Sequence, residues 1–128
     1  MSKVVLDASA VLAVIHRERG FEKLTPELLL RAVISTVNLA EVHSKLVLSG
    51  WRPQDAWEDA TSLVGEIATF TADHARLAGD LIAETRSFGL SLADRACLSL
   101  GLDLKAPIYT ADRSWKNLKL GSQIQLIR

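Results

Sequence analysis

The chain has 128 residues, 48% hydrophobic and 23% charged, which suits one folded domain and excludes a disordered segment. Fifteen Lys and Arg balance fifteen Asp and Glu, and the lack of a basic excess argues against a general nucleic-acid coat protein while leaving room for an acidic pocket with a basic rim. The only cysteine, Cys97, excludes an internal disulfide and reads as a small buried hydrophobe. No stretch is long enough to span a membrane. The apolar run from Val4 to Ile15 is broken by Asp7 and preceded only by Lys3, unlike a secretory signal, so the expected compartment is the cytoplasm.

In chain order, Lys3 to Leu6 predicts a short buried strand, and Ala8 to Arg19 a helix closed by Gly20. Thr25-Pro26-Glu27 predicts a cap and first turn, opening a short helix through Leu28 to Ala32. Val33 to Thr36 is the second strand, Asn38 opens a helix to Gly50, and Pro53 opens another in which Trp57, Ala60 and Val64 share a face. Glu66 to Phe70 is a weak third strand. Thr71 begins a helix with the stripe Ala78, Leu81, Ile82, Thr85, and Ser91 opens the next, which ends near Gly101. Pro107 to Thr110 and Ile124 to Ile127 close the strand set, with a short helical piece from Asp112 to Leu118 between them. Strands alternating with helices predict an α/β fold, a mostly parallel sheet of about five strands covered on both faces. Ligands of such sheets sit beyond the carboxyl ends of the strands.

Four acids fall where predicted strands give way to helices: Asp7, Glu41, Asp94 and Asp112. Each has a purely structural reading. Asn38-x-x-Glu41 and Ser91-x-x-Asp94 fit a polar cap followed three residues later by an acid, and Asp7 and Asp112 can each cap a helix. Independent caps have no need to share one sheet edge, whereas a metal site does. Carboxylates with no nearby His or Cys suit a hard cation, magnesium or manganese, for phosphate chemistry. Ser9 and Thr110 can orient Asp7 and Asp112, or serve only as turn hydroxyls.

The segments Asp7-Ala8-Ser9-Ala10, Asn38-Leu39-Ala40-Glu41, Leu90 to Leu98 and Tyr109 to Trp115, in this order and with these gaps, resemble a PIN-domain protein. More narrowly they resemble the VapC toxins of bacterial toxin–antitoxin pairs. The resemblance spans residues 1–128 as a single PIN domain and implies a three-layer α/β fold. It also implies an endoribonuclease dependent on magnesium or manganese, a homodimer, and restraint by a cognate VapB-like antitoxin. By the same resemblance Asp7, Glu41, Asp94 and Asp112 are the catalytic, metal-binding acids, with Ser9 and Thr110 as supporting polar groups. Nothing about substrate choice carries over to Phe21–Ala32 or Trp51–Trp57.

Arg95 and Arg113 directly follow two of the acids and are candidate contacts to RNA phosphates; Lys116 and Lys119 read more simply as a solvated helix face. Trp115 can stack on a base or anchor packing, and Trp51 and Trp57 are candidates for a dimer or antitoxin surface. His16, His43 and His74 have no metal-ligand spacing. Two rival functions stay open: an aspartyl-phosphate phosphatase with Asp7 as nucleophile, against which position 9 is Ser where that pattern wants a second Asp, and a non-catalytic module whose acids bind basic partner side chains.

Overall fold

The computed structural model describes residues 2–121 and 123–128. Five parallel strands form one sheet in the order β3-β2-β1-β4-β5. They are β1 (Val4–Leu6), β2 (Ala32–Ser35), β3 (Glu66–Ala68), β4 (Ile108–Thr110) and β5 (Ile124–Leu126). The helices are α1 (Ala8–His16), α2 (Pro26–Leu30), α3 (Thr36–Leu48), α4 (Pro53–Leu63), α5 (Ala72–Asp80), α6 (Ile82–Thr85) and α7 (Leu92–Leu104). Side chains alternate across a strand, and here the alternation divides two cores. Val4 and Leu6 of β1, with Ala32 and Ile34 of β2, pack against α1, α3 and α4. Val5, Val33 and Ile108 pack on the other face against α7, Leu81 and Trp115. The result is the expected three-layer α/β fold. Among the described residues no helix is long and apolar enough to cross a membrane.

Several predicted boundaries move, each for a local reason. α1 ends at His16 because Arg17 turns left-handed (φ 53°) and the Glu18 amide closes on the Ala13 carbonyl at 2.8 Å. Gly20, also left-handed, instead opens a 3-10 turn from Phe21 to Lys23. α2 stops at Leu30, and Ala32 belongs to β2. Thr36 starts α3 rather than ending β2, and Ser35 caps that helix through its hydroxyl and the Val37 amide. β3 ends at Ala68, two residues short of Phe70. α7 runs past Gly101 to Leu104, where Lys105 takes the left-handed cap. The helical piece after Asp112 is a single 3-10 turn, Arg113–Trp115. Ala56 and Ala60 form the buried face of α4 while Trp57 is 49% exposed, and Ile82 leaves the stripe that buries Ala78, Leu81 and Thr85.

Gly20 holds a position no other residue fits. Its φ is 95°, and a Cβ there would run into the Ile127 carbonyl just beyond β5. Gly20→Ala should therefore lower stability by at least about 2 kcal/mol, combining left-handed strain with displacement of the segment after β5. Gly79→Ala, inside α5 with open space around it, should be neutral or stabilising by up to about 1 kcal/mol. Thermal unfolding of the two variants beside the parent checks both; equal shifts would contradict the close approach at Gly20.

Candidate active site

In a parallel sheet the strands share a carboxyl edge, and β1 and β4 lie side by side. Asp7 leaves β1 in extended backbone and caps α1, its Oδ1 accepting the Ala10 amide at 2.9 Å. The Thr110 hydroxyl, at the end of β4, donates to Asp7 Oδ2 at 2.6 Å. The Ser9 hydroxyl lies 2.8 and 2.9 Å from the two Asp7 oxygens and accepts the Ala111 amide at 2.9 Å. Thr110 Oγ1 in turn accepts the Asp112 amide at 3.0 Å. One buried carboxylate thus stitches the ends of β1 and β4 and the start of α1. All its partners are neutral, and no basic side chain pairs with Asp7 among the described ion pairs.

Burial pushes the Asp7 carboxyl up from 3.8 to about 6; the hydrogen bonds from Thr110, Ala10 and Ser9 pull the other way, and the charge of Asp94 adds to the rise. Cys97 is fully buried in α7. Burial drives its thiol well above its ordinary value, and the charges of Asp7, Asp94 and Glu41 push in the same direction. Three of the four predicted acids therefore act on one another or on one buried atom. Asp112 joins them through the Thr110 hydroxyl, which links its amide to the Asp7 carboxylate.

The outer carboxylates are held locally. Asp94 forms a capping box with Ser91, its Oδ2 accepting the Ser91 amide at 2.9 Å. Asp112 Oδ1 accepts the Ser114 amide and hydroxyl at 2.9 and 2.7 Å. Glu41, in the second turn of α3, stands 3.8 Å from Lys45. In these rotamers no three His, Cys, Asp or Glu side chains among the described residues are grouped to hold a metal ion. The chemistry of the donors nevertheless fits a hard divalent cation. They are oxygens only, and a buried carboxylate beside a second negative charge has no protein cation to offset it. Three of the four capping readings hold together with this convergence. Glu41 is the exception, because the cap of α3 is Ser35.

Sequence reasoning passed over Asn38 as an ordinary cap. It is buried, 1% exposed, and its Nδ2 donates to the Ala93 carbonyl at 3.0 Å, joining α3 to the residue before Asp94. Arg95 donates from Nη1 to the Ala78 carbonyl at 2.8 Å and so braces α7 on α5, whereas Arg113 is exposed. Trp115 is fully buried core. Trp51 packs on the α1–α3–α4 core with its ring edge-on to His16, and Trp57 meets His43 edge-on at 5.4 Å. His74 belongs to a capping box with Thr71 and pairs with Asp103 at 3.0 Å.

The Asp7 environment sets a pH signature in metal-free protein. A carboxyl raised from 3.8 to about 6 contributes stability that is complete below 3.8 and lost as pH rises through about 6. Asp7→Asn cannot ionise, so in EDTA its stability relative to the parent should improve by about 1–2 kcal/mol between pH 5 and pH 8. Urea unfolding at both pH values measures this, and a pH-independent difference would sink the reading of Asp7 as a buried, uncompensated acid.

The sequence matches the PIN domain family over residues 4–120. No curated protein matches it. The fold is similar to VapBC2 from Rickettsia felis bound to a promoter DNA fragment, with a TM-score of 0.76 and 19% identity over 95% of this chain and 96% of that one. It is similar also to DNA-bound VapBC from Salmonella typhimurium, TM-score 0.76 and 16% identity over the whole of both chains. VapBC-5 from Mycobacterium tuberculosis aligns at TM-score 0.64 and 20% identity over 100% of this chain and 99% of that one. With a family match over most of its length and the three-layer parallel architecture that carries it, this chain belongs to the PIN-domain family.

Proposed function

We propose that residues 1–128 form a single PIN domain acting in the cytoplasm as a VapC-type toxin, an endoribonuclease that hydrolyses RNA phosphodiester bonds. The observation that carries this reading is the buried Asp7 carboxylate at the junction of β1 and β4, hydrogen-bonded by neutral donors alone, with no basic side chain paired to it among the described residues and with the charge of Asp94 close enough to raise its pKa. Asp7, Glu41, Asp94 and Asp112 would hold magnesium or manganese once the three outer side chains leave their local partners. Bound there, the ion supplies the polarisation that makes water nucleophilic near neutral pH and offsets charge on the phosphate. Ser9 and Thr110 fix Asp7 so that its remaining lone pairs are set before any ligand arrives.

Arg113 stands exposed beside Asp112 as a contact for RNA phosphates, and Arg95, already engaged with Ala78, takes the smaller share. The burial of Asp7, 4% exposed, counts against the phosphatase reading. A nucleophile must admit phosphorus in line, whereas a small ion needs only a lone pair. The family's nuclease chemistry and the VapBC neighbours support the choice of a toxin over a passive acidic module. The VapB-like antitoxin and a second copy of the chain are the proposed partners, with the exposed Trp57 available to either.

Purified protein incubated with total cellular RNA should cleave it with manganese or magnesium and not in EDTA, leaving 5′-phosphate and 3′-hydroxyl ends. Products ending in 2′,3′-cyclic phosphate would overturn the hydrolytic mechanism. Asp7→Asn, Glu41→Gln, Asp94→Asn and Asp112→Asn should each reduce cleavage by about 100-fold or more, roughly 2.7 kcal/mol of transition-state stabilisation. Expression alone should slow bacterial growth, and co-expression of the adjacent small gene should relieve it. Unimpaired growth with soluble, folded protein would remove the toxin assignment while leaving the nuclease open to the first test.

A further inference from the structure

Asn38 is the third residue of α3, inside the helix rather than at its cap, and it is 1% exposed. Its amide has one side satisfied and one side not. Nδ2 donates to the Ala93 carbonyl at 3.0 Å, while Oδ1 is buried with no hydrogen-bond partner among the described residues. That orientation is fixed by chemistry, since the reverse flip would set two oxygen acceptors against each other. Buried amide oxygens are nearly always paired, and an orphan there is costly. A plain packing role would be better served by an apolar side chain of the same size.

Its location explains what the polar group is for. Asn38 and Glu41, three apart, lie on one face of α3, and the carbonyl it holds belongs to the residue before Asp94. The side chain therefore sits in the seam between the helices that carry two of the four acids. Building on the proposed metal site, we infer that Asn38 is a positioning residue. Its Nδ2 sets the start of α7 against α3, and its unpartnered Oδ1 accepts a hydrogen bond from a water of the cation held by Glu41 and Asp94. A water on a divalent ion is a strong donor, and such outer partners fix the ligands around an ion as well as adding contacts of their own.

Two variants separate the acceptor from the scaffold. Asn38→Leu keeps the size and removes both polar atoms; Asn38→Asp keeps the acceptor and loses the donor to Ala93. Calorimetric titration with Mn2+ on purified full-length protein is the readout, beside the melting temperature in EDTA. Asn38→Leu should bind Mn2+ about tenfold or more weakly while melting, metal-free, within about 8 °C of the parent. Asn38→Asp should hold Mn2+ within about threefold of the parent or tighter. Mn2+ binding by Asn38→Leu at parental strength would overturn the assignment, as would equal losses in both variants, which would make the Ala93 bond the whole effect. Melting lowered beyond that range in both variants would also overturn it, by showing that Asn38 serves the fold as a whole. If the parent itself binds no Mn2+, the metal-site reading fails and the role of Asn38 falls with it, whereas parental binding lost in neither variant overturns the role of Asn38 alone.

Discussion

A single buried carboxylate with no positive partner among the described residues governs this structure. Asp7 occupies the point where β1 ends, α1 begins and β4 passes closest, and its oxygens take donors from α1 and from β4. Ionising it in the absence of a bound cation costs the folded state on the order of 3 kcal/mol, from the rise of its carboxyl to about 6. A protein selected for stability alone would place an Asn or an apolar residue there. On the proposed reading, keeping the acid keeps a place for a cation, and a cation bound there would return stability to the fold.

Capping and ligand binding are compatible uses of the same residue. Asp7 caps α1, Asp94 closes the capping box of α7, and Asp112 caps the 3-10 turn that follows β4. Each therefore sits at the positive end of a helical turn, where a negative charge is favoured. The amides that hold these carboxylates also restrict how far they can swing. Closing the outer acids on an ion, as the proposed site requires, would exchange one set of hydrogen bonds for another. Glu41 differs: it projects from the second turn of α3 and its neighbour is a lysine one turn on, so the cost of moving it is mainly that of a partly exposed ion pair.

The two cores explain why the arrangement is rigid where it needs to be. Val5, Val33 and Ile108 bury one face of the sheet under α7, and Val4, Leu6, Ala32 and Ile34 bury the other under α1, α3 and α4. α7 and α3 then meet through Asn38 and the Ala93 carbonyl, so two helices anchored in opposite layers are tied at the acidic edge. Cys97 and Trp115 fill the interior beside that edge with apolar bulk. Excluding water there strengthens every charge interaction above them.

The sequence by itself determined the alternation of short apolar strands with capped helices, hence a parallel sheet and a shared carboxyl edge. It also marked the candidate acids, because Asp7 and Asp112 follow strands closely and Asp94 lies in the first turn of a helix capped by Ser91. Local patterns suffice for these features, since strand period, caps and proline positions act within a few residues. The sequence was misleading where two local signals competed. Asn38 looked like a cap because a polar residue three before an acid is the usual sign, yet Ser35 lies nearer the end of β2 and takes the role. Gly20 looked like the end of α1, although Arg17 had already turned. Only the tertiary structure decided that Thr110 and Ser9 close on one carboxylate, that Trp115 is core, that Arg95 braces α7 on Ala78, and that Asn38 spans two layers. Apart from the Ser9–Asp7 contact, which spans two positions, those facts depend on contacts between residues 17 to 103 positions apart, which no local spacing encodes. They arise from the way the two cores seat the helices on the sheet.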